Sequence, residues 1–169
     1  NNEIIIASGL IDNQVNGYKG FSFVDIGQEL TKEGIRVITQ GLWEAGVTTY
    51  LPTLTTNDHQ IFLKNFELLA HVKNDTTLQG SIAGFHLEGP YISPVNGFRG
   101  AHPLIHVRYP DWEEFMELYN ISQKNILQVS LAPEIEGALD FISRCKEINV
   151  KVGLAHHNSS SAQIAEAVK

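Results

Sequence analysis

Short apolar strands alternate with amphipathic helices along the chain, and this alternation constrains the fold more than any other feature of the sequence. Five segments rich in apolar and β-branched residues are each followed by a pattern of helical period. The predicted strands read ASGLIDNQVNG, VTTYLPTLT, SIAGFHLEG, NILQVSLAPE and KVGLAHHN. Apolar strands separated by helices are typical of a parallel sheet covered by helices, either doubly wound or closed as a (β/α)₈ barrel. The order of the elements does not distinguish these two architectures.

Residues that favour helix ends bound several of the predicted helices. The first helix is predicted over residues 31–45, and the stretch DWEEFMELYN opens with Asp111 in a position typical of an N-terminal cap. Ser160 and Gln163 have the spacing of a capping box at the start of the last helix. The sequence therefore predicts an α/β fold of five βα units in a single domain over residues 1–169.

The chain is short for a closed barrel. A complete (β/α)₈ barrel typically takes about 250 residues, whereas this sequence has 169. The only methionine is Met116, and a helical pattern runs up to Lys169, so we expect a piece of a longer chain that holds part of a barrel. An open portion of that kind exposes two sheet edges and an apolar inner face, so we expect it to be poorly soluble or oligomeric by itself.

Composition excludes several classes of function. The net charge is −7 and the pI is near 5.4, and no cluster of Lys and Arg offers a surface for nucleic acid or an anionic membrane. No apolar run approaches the ~20 residues that span a bilayer. The single cysteine, Cys145, excludes an intrachain disulfide, so a reducing cytoplasm is the expected location.

Polar side chains collect where the predicted strands end, on the face that carries the active site in parallel α/β proteins. Singly, each is more often structural, because a strand-end Glu is usually solvated or paired and a His in an apolar strand is usually a hydrogen-bonded core residue. Their combination at one face is a stronger indication of a site than any single member. The residues concerned are Asp12, Gln14, Asn16, Thr53, Thr55, His86, Glu88, Glu134, His156, His157 and Asn158.

Glu88 and His156 are the best pair among these residues for holding a metal ion. They end the third and fifth predicted strands, and alternate strands of a barrel send side chains into the same inner layer. A carboxylate and an imidazole form part of a typical Zn²⁺ shell, which also needs a third protein ligand and an open position. His157 is a poor third ligand, because adjacent strand residues point to opposite faces. Such an ion would activate water, but we find no convincing general base in the chain.

The loop GFRGAHP is the second indication of a site. Gly97 and Gly100 permit a close approach of the backbone, and Arg99 and His102 can both meet an anion. A flexible surface loop that happens to contain a basic residue explains the same residues equally well. Spacing alone leaves both interpretations open.

Five segments together resemble the N-acetylglucosamine-6-phosphate deacetylases of the amidohydrolase superfamily. They are GLIDNQVNG, GVTTYLPTL, FHLEGPYIS with GAHP, VSLAPE and GLAHHNSSS, in that order, and they cover essentially the whole chain. HLEGP followed by GAHP is the most specific part. The resemblance implies a metal-dependent (β/α)₈ TIM-type barrel, usually accompanied by a small β-sandwich built from both chain ends.

The resemblance also implies roles for particular residues. Glu88 and His156 take the positions of metal ligands. Ala101 and His102 take substrate-binding positions, and Arg99 is a neighbouring candidate for the same role. One divalent ion is implied, with Zn²⁺ as the first choice and Fe²⁺, Co²⁺ or Mn²⁺ as alternatives.

Parts of the family pattern are expected outside this sequence or are altered within it. The third metal ligand, a His, and the catalytic Asp would follow Lys169, so we expect no catalytic residue in the chain and no activity from it alone. The β-sandwich and the last barrel strands are expected to be absent as well. Gln14 and Asn16 replace the His-x-His of many amidohydrolases, which resembles the single-metal branch. Next to the ligand His156, His157 departs from the Ser or Thr of the family motif.

The expected function of the parent protein is the deacetylation of N-acetylglucosamine 6-phosphate to glucosamine 6-phosphate and acetate, in amino-sugar metabolism. The expected partners are the small amino-sugar phosphate and a second subunit of a homodimer, with no nucleic acid and no membrane. Two alternatives stay open. One is another amidohydrolase activity, such as a deaminase or cyclic amidase, and the other is a non-catalytic module that binds a sugar phosphate.

Overall fold

The structure is a computed structural model that describes residues 6–24 and 27–169. Its strands are β1 Leu10–Val15, β2 Gly17–Tyr18, β3 Phe21–Ser22, β4 Val47–Thr55, β5 Phe85–Glu88, β6 Ile126–Leu131 and β7 Lys151–Leu154. Its helices are α1 Lys32–Glu44, α2 His59–Lys73, α3 Trp112–Ile121, α4 Ala138–Glu147 and α5 Ser161–Ala167. Two short 3₁₀ helices, Thr76–Leu78 and Leu104–His106, lie in the connections.

The five strands β1, β4, β5, β6 and β7 form one parallel sheet in that order. A helix follows each of its strands along the chain, so the predicted parallel sheet with intervening helices is confirmed, and it is consistent with part of a barrel. β5 lies at the centre of the sheet, while β1 and β7 form its edges. The short antiparallel hairpin of β2 and β3 was not predicted. It follows β1 directly and brings the chain back beside the end of that strand.

Side-chain caps start the helices at the predicted places. Thr31 Oγ1 accepts a hydrogen bond from the backbone N–H of Gly34 at 3.1 Å, one residue before α1. Asp111 caps α3, and Ser160 forms the predicted capping box with Gln163 at α5. Each cap stabilises its helix by about 1 kcal/mol. Among the described residues, no helix is both long and apolar enough to cross a membrane.

The central strand β5 has two buried faces of different character. Phe85 and Leu87 are fully buried in the apolar core, where the Phe85 ring lies 5.9 Å from that of Phe66 in α2. Burial of such a side chain contributes about 1.5–3 kcal/mol. Because side chains alternate along a strand, this packing directs His86 and Glu88 to the opposite face of the sheet. The hydrophobic core therefore determines where Glu88 points.

Candidate functional site

A cavity of about 660 Å³ opens at the carboxyl ends of the parallel strands. This is the face on which the sequence placed a site, and the loops after β1, β4, β5 and β7 all reach it. Glu88, Ala101, His102 and His156, four of the candidate residues from the sequence, line it. The polar residues Asn16, Ser22, Thr55, Thr56, Asn57 and His106 complete the polar part of its wall.

Glu88 lies at the last position of β5 and is only 6% exposed. Its two carboxylate oxygens have different partners. Oε1 lies 3.1 Å from His156 Nε2 and 4.0 Å from His102 Nε2, whereas Oε2 accepts a hydrogen bond from Asn16 Nδ2 at 3.3 Å. One oxygen is thus held by an amide while the other faces two imidazoles.

His156 follows the end of β7 and has a left-handed backbone conformation, with φ of 50°. This conformation is uncommon for a residue with a side chain and has to be held by its surroundings. The backbone N–H of Ser93 donates to the carbonyl of His156 at 2.9 Å. The strand is shorter than predicted, so the turn at His156, rather than strand alternation, directs its ring into the cavity.

Glu134, in the loop after β6, holds the segment that follows His156. The backbone N–H of Asn158 and the hydroxyl of Ser159 each donate to the Glu134 carboxylate at 2.6 Å. Burial raises the pKa of Glu134, but the hydrogen bonds from Ser159 and Asn158 outweigh it, so the pKa lies below its ordinary value. The charged Glu134 side chain therefore holds, by these two hydrogen bonds, the loop that contains His156.

His102 is buried and reaches the same point of the cavity from the long loop after β5. Its Nε2 lies 3.1 Å from His156 Nε2, and its Nδ1 lies 2.8 Å from the hydroxyl of Thr56. Burial, and then the neighbouring His156, lower the pKa of His102, against the opposing effect of Glu88. The imidazole of His102 is therefore neutral near pH 7 and has a lone pair to offer.

His86 lies one layer below Glu88 and is completely buried. Thr53 Oγ1 donates to the carbonyl of Leu51 at 3.2 Å, so it accepts from His86 Nδ1, which is also 3.2 Å away. His86 Nε2 then accepts from Ser130 Oγ at 2.8 Å and faces the amide of Gln128 at 3.3 Å. Burial lowers the pKa of His86 to about 4. His86 is therefore a hydrogen-bonded core residue that supports the layer above it.

The loop over the cavity is anchored by ionic and backbone hydrogen bonds of Arg108. Its Nε donates to both carboxylate oxygens of Glu114 in α3, at 3.1 and 2.9 Å. Its Nη1 donates to the carbonyls of Asn57 at 3.2 Å and His106 at 2.7 Å. Tyr91 also donates to Glu114, at 2.8 Å. These contacts join the end of the loop to the segment after β4.

Two predicted substrate residues differ in their surroundings. Ala101 lines the cavity beside His102. Arg99 donates from Nη1 to the carbonyl of His102, so its guanidinium contacts its own loop and is not among the cavity-lining residues. Arg99 therefore supports the backbone that carries His102. His157 also turns away from the cluster, since its Nδ1 accepts from the backbone N–H of Ser159 at 3.2 Å.

The ligand atoms of Glu88, His102 and His156 fit a divalent metal ion. All three lie within 4.8 Å of one another. Zn²⁺ binds nitrogen and oxygen at about 2.0–2.2 Å in a tetrahedron, which places its ligand atoms roughly 3.3 Å apart. The observed separations of 3.1, 3.1 and 4.0 Å bracket that value. The donor types, one carboxylate and two imidazoles, also suit the ion.

Sequence reasoning missed Thr56, which the structure places against two members of the cluster. Thr53 and Thr55 were singled out at the end of β4, but the hydroxyl that contacts His102 belongs to the first residue after the strand. The repeated threonines of TLTT were the available signal. Which of these threonines contacts His102 depends on where β4 ends, and the sequence pattern does not determine that residue.

Known proteins that are similar to this chain are named as deacetylases of N-acetylated amino-sugar 6-phosphates. No protein-family profile matches the chain. An N-acetylglucosamine-6-phosphate deacetylase of Danio rerio is 32% identical over 168 residues, which is 98% of this chain and 40% of that protein. An N-acetylgalactosamine-6-phosphate deacetylase of a Shewanella strain is 30% identical over 97% of this chain and 39% of its own length. The chain thus spans about 40% of the curated relatives that it matches.

Solved structures agree with these relatives. A mutant N-acetyl-D-glucosamine-6-phosphate deacetylase of Mycobacterium smegmatis, in complex with N-acetyl-D-glucosamine-6-phosphate, has a TM-score of 0.78 and 26% identity, over 95% of this chain and 40% of that one. The enzyme of Pasteurella multocida shares the fold, with a TM-score of 0.82 over the same shares at 24% identity. The resemblance seen in the sequence is therefore confirmed: over nearly its whole length, this chain is similar to one segment of N-acetylglucosamine-6-phosphate deacetylases.

Proposed function

We propose that the protein hydrolyses the acetamide group of N-acetylglucosamine 6-phosphate and releases acetate and glucosamine 6-phosphate. The single observation that carries this proposal is the convergence of Glu88, His102 and His156 at the carboxyl ends of the parallel strands. Relatives and structural neighbours with the matching segment bear the name of this deacetylase. The spans that match cover about 40% of those proteins, so the activity is proposed for the intact protein.

Glu88 and His156 are proposed to hold one divalent ion, Zn²⁺ first, with Fe²⁺, Co²⁺ or Mn²⁺ as alternatives. Their facing atoms are 3.1 Å apart, which supports a shared ion. When bound, a divalent ion supplies the Lewis acidity that activates water and polarises the acetyl carbonyl. The bond from Asn16 to Oε2 leaves Oε1 as the Glu88 oxygen that faces the cluster.

His102 is proposed to bind the substrate, together with Ala101. Its Nε2 lies 4.0 Å from Glu88 Oε1, further than His156 Nε2 does, which supports a position beside the metal ligands. A neutral imidazole there accepts a hydrogen bond from a hydroxyl or amide of the sugar. Arg99 contributes by holding the carbonyl of His102, and a direct contact with substrate remains part of the proposal.

The proton-transfer step is proposed to use an Asp outside residues 1–169, together with a third metal ligand, a His, from a later strand. The described part of the chain places no carboxylate other than Glu88 among the residues lining the cavity, which supports this division. We likewise propose that residues 1–169 form the N-terminal part of a closed barrel. A cytoplasmic homodimer with no nucleic-acid or membrane partner completes the proposal.

The test is acetate release by the intact, metal-loaded protein. We expect turnover of N-acetylglucosamine 6-phosphate and a loss of more than about 100-fold in Glu88→Gln, since even partners of metal ligands typically cost 10–100-fold. Glu67→Gln is the matched control, because Glu67 is exposed on α2 away from the cavity. No acetate release from the loaded protein, or full activity in Glu88→Gln, contradicts the proposal.

Assays with a panel of substrates distinguish the proposed function from the alternative functions. N-acetylgalactosamine 6-phosphate belongs in the panel, because a similar Shewanella protein is named for it. Deaminase and cyclic-amide substrates test the other amidohydrolase activities. Calorimetry with and without a chelator tests the non-catalytic alternative, which predicts sugar-phosphate binding that is independent of metal.

A further inference from the structure

Arg108 connects two segments of the cavity wall through their backbone carbonyls. Its Nη1 donates to the carbonyl oxygen of Asn57 at 3.2 Å and to that of His106 at 2.7 Å. Asn57 lies in the wall segment 55–57 at the end of β4, and His106 lies in the wall segment 101–106 of the loop after β5. Both residues line the cavity, whereas Arg108 is not among the residues that line it. One guanidinium group therefore sets the separation of two wall segments without facing the cavity.

The guanidinium group of Arg108 is itself held by the core. Its Nε donates to both carboxylate oxygens of Glu114, at 3.1 and 2.9 Å, and the hydroxyl of Tyr91 donates to the same carboxylate at 2.8 Å. Tyr91 is completely buried, with its ring 5.1 Å from that of Phe141 in α4. The guanidinium carbon lies 5.9 Å from the centre of the buried Phe62 ring in α2. The two wall segments are therefore fixed relative to three packed helices.

The geometry of these contacts requires a guanidinium group. A planar guanidinium presents its Nε and Nη donors in fixed directions, whereas the ammonium group of a lysine is one compact charge. A lysine at residue 108 keeps the positive charge beside Glu114, but it cannot hold that carboxylate and both wall carbonyls from one rigid plane. Arg108→Lys therefore removes the link between the wall segments and preserves the charge.

The two wall segments meet through the side chains of Thr56 and His102. The Thr56 hydroxyl lies 2.8 Å from Nδ1 of His102. Both side chains are buried, with exposed fractions of 2% and 7%, so the contact has little room to adapt. Thr56 directly precedes Asn57, and His102 belongs to the same short segment as His106. The separation that Arg108 sets between the two carbonyls therefore determines where His102 lies.

Glu88 and His156 are held by other contacts. Asn16 donates to Glu88 Oε2 at 3.3 Å, and the backbone N–H of Ser93 donates to the His156 carbonyl at 2.9 Å. Neither contact involves Arg108 or the two wall segments. Loss of the Arg108 link should therefore displace His102 and leave Glu88 and His156 in place.

We propose that Arg108 is a positioning residue, which holds the two wall segments at the separation that places His102 against the substrate. The effect on substrate binding rests on the proposed function, whereas the position of His102 does not. A contact made equally in the ground state and the transition state raises KM when it is lost and leaves kcat unchanged. Arg108 should therefore act on KM, through His102, and not on the metal site.

The kinetic test uses the intact, Zn²⁺-loaded protein and N-acetylglucosamine 6-phosphate. We expect Arg108→Lys to raise KM about 10- to 100-fold, because a misplacement of about 1 Å can cost about 100-fold. The kcat should stay within about threefold of the wild-type value, and the Zn²⁺ content per chain should not change. Arg144→Lys is the matched control, because Arg144 is exposed on α4 and pairs with Asp140 at 2.9 Å. The control should leave both constants unchanged.

A purely structural role of Arg108 gives a different pattern. Partial unfolding reduces the amount of active enzyme, so kcat per total protein falls while KM stays the same. That pattern, or an unchanged KM in a folded Arg108→Lys protein, overturns the proposal. If Arg108→Lys does not fold, Glu114→Gln decides, because it weakens the bonds that hold the guanidinium group. It should raise KM in the same direction by a smaller factor, and an unchanged KM overturns the proposal.

Crystal structures of the intact wild type and Arg108→Lys separate this proposal from the proposed function. We expect His102 to be displaced by about 1 Å relative to Glu88 in the variant. If the wild type releases no acetate under any metal and His102 still moves, the deacetylase proposal fails and the positioning role is supported. An active wild type whose KM and His102 position are both unchanged by Arg108→Lys overturns the role of Arg108 and leaves the deacetylase proposal intact.

Discussion

The buried histidine under the site makes the stability of the protein depend on pH. In the folded state the pKa of His86 is about 4, lowered from 6.5 by burial. An unfolded chain would protonate this residue near 6.5, so below that pH the unfolded state binds more protons than the folded state. His86 therefore does not reduce the free energy of unfolding above about pH 6.5. Its protonation in the unfolded state lowers the free energy of unfolding as the pH falls from 6.5 toward 4. The full shift corresponds to ~3 kcal/mol, and about 2 kcal/mol of it falls between pH 7.5 and 5.

The assay compares urea unfolding of the metal-free wild type and His86→Gln at pH 7.5 and pH 5. Gln cannot be protonated, so the wild type should lose about 2 kcal/mol more than the variant over this interval, while all other groups cancel in the comparison. An NMR titration of His86 provides a direct check on the pKa. Equal losses in the two proteins, or a measured pKa near 6.5, would refute the assignment of His86 as a neutral core residue.

Three further predictions follow from the contacts around the site. Gly89→Ala should destabilise the protein by about 2 kcal/mol in thermal unfolding, because residue 89 has φ of +77° and its Cβ would meet Thr56; an unchanged melting temperature contradicts this. Glu134→Ala should weaken metal binding about 10- to 100-fold in a metal titration, since Glu134 holds the loop of His156, while Glu136→Ala, exposed in the same loop, should not. Residues 1–169 alone should sediment as oligomers or aggregate, because β1 and β7 are sheet edges; a monodisperse monomer that melts cooperatively would contradict this.

The arrangement of strands and helices could be predicted because each element has its own periodicity. Strand β5 was predicted from its run of apolar residues, and the end of that run placed Glu88 at the end of the strand, as observed. The caps at Asp111 and Ser160 are local signals and were found as expected. The hairpin of β2 and β3 was missed because two-residue strands carry no measurable period.

The details of the site were harder to predict because they depend on contacts between distant residues. His102 and His156 are 54 positions apart, and their approach follows from the path of a long loop and from the left-handed turn at His156. Thr56 contacts His102 because it lies one residue past the end of β4. Sequence patterns do not resolve such a boundary to one residue. Arg99 looked like an anion ligand by charge, yet it bonds to the loop backbone.

The central claim is that Glu88 and His156 hold a divalent ion at the mouth of the sheet. The most direct measurement is a crystal structure of the intact protein loaded with Zn²⁺, with the ion located by its anomalous scattering. We predict one peak within about 2.0–2.2 Å of both Glu88 Oε1 and His156 Nε2, and no peak at this position in crystals of Glu88→Gln. A peak bound by other residues, or one that persists without the Glu88 carboxylate, would contradict the account.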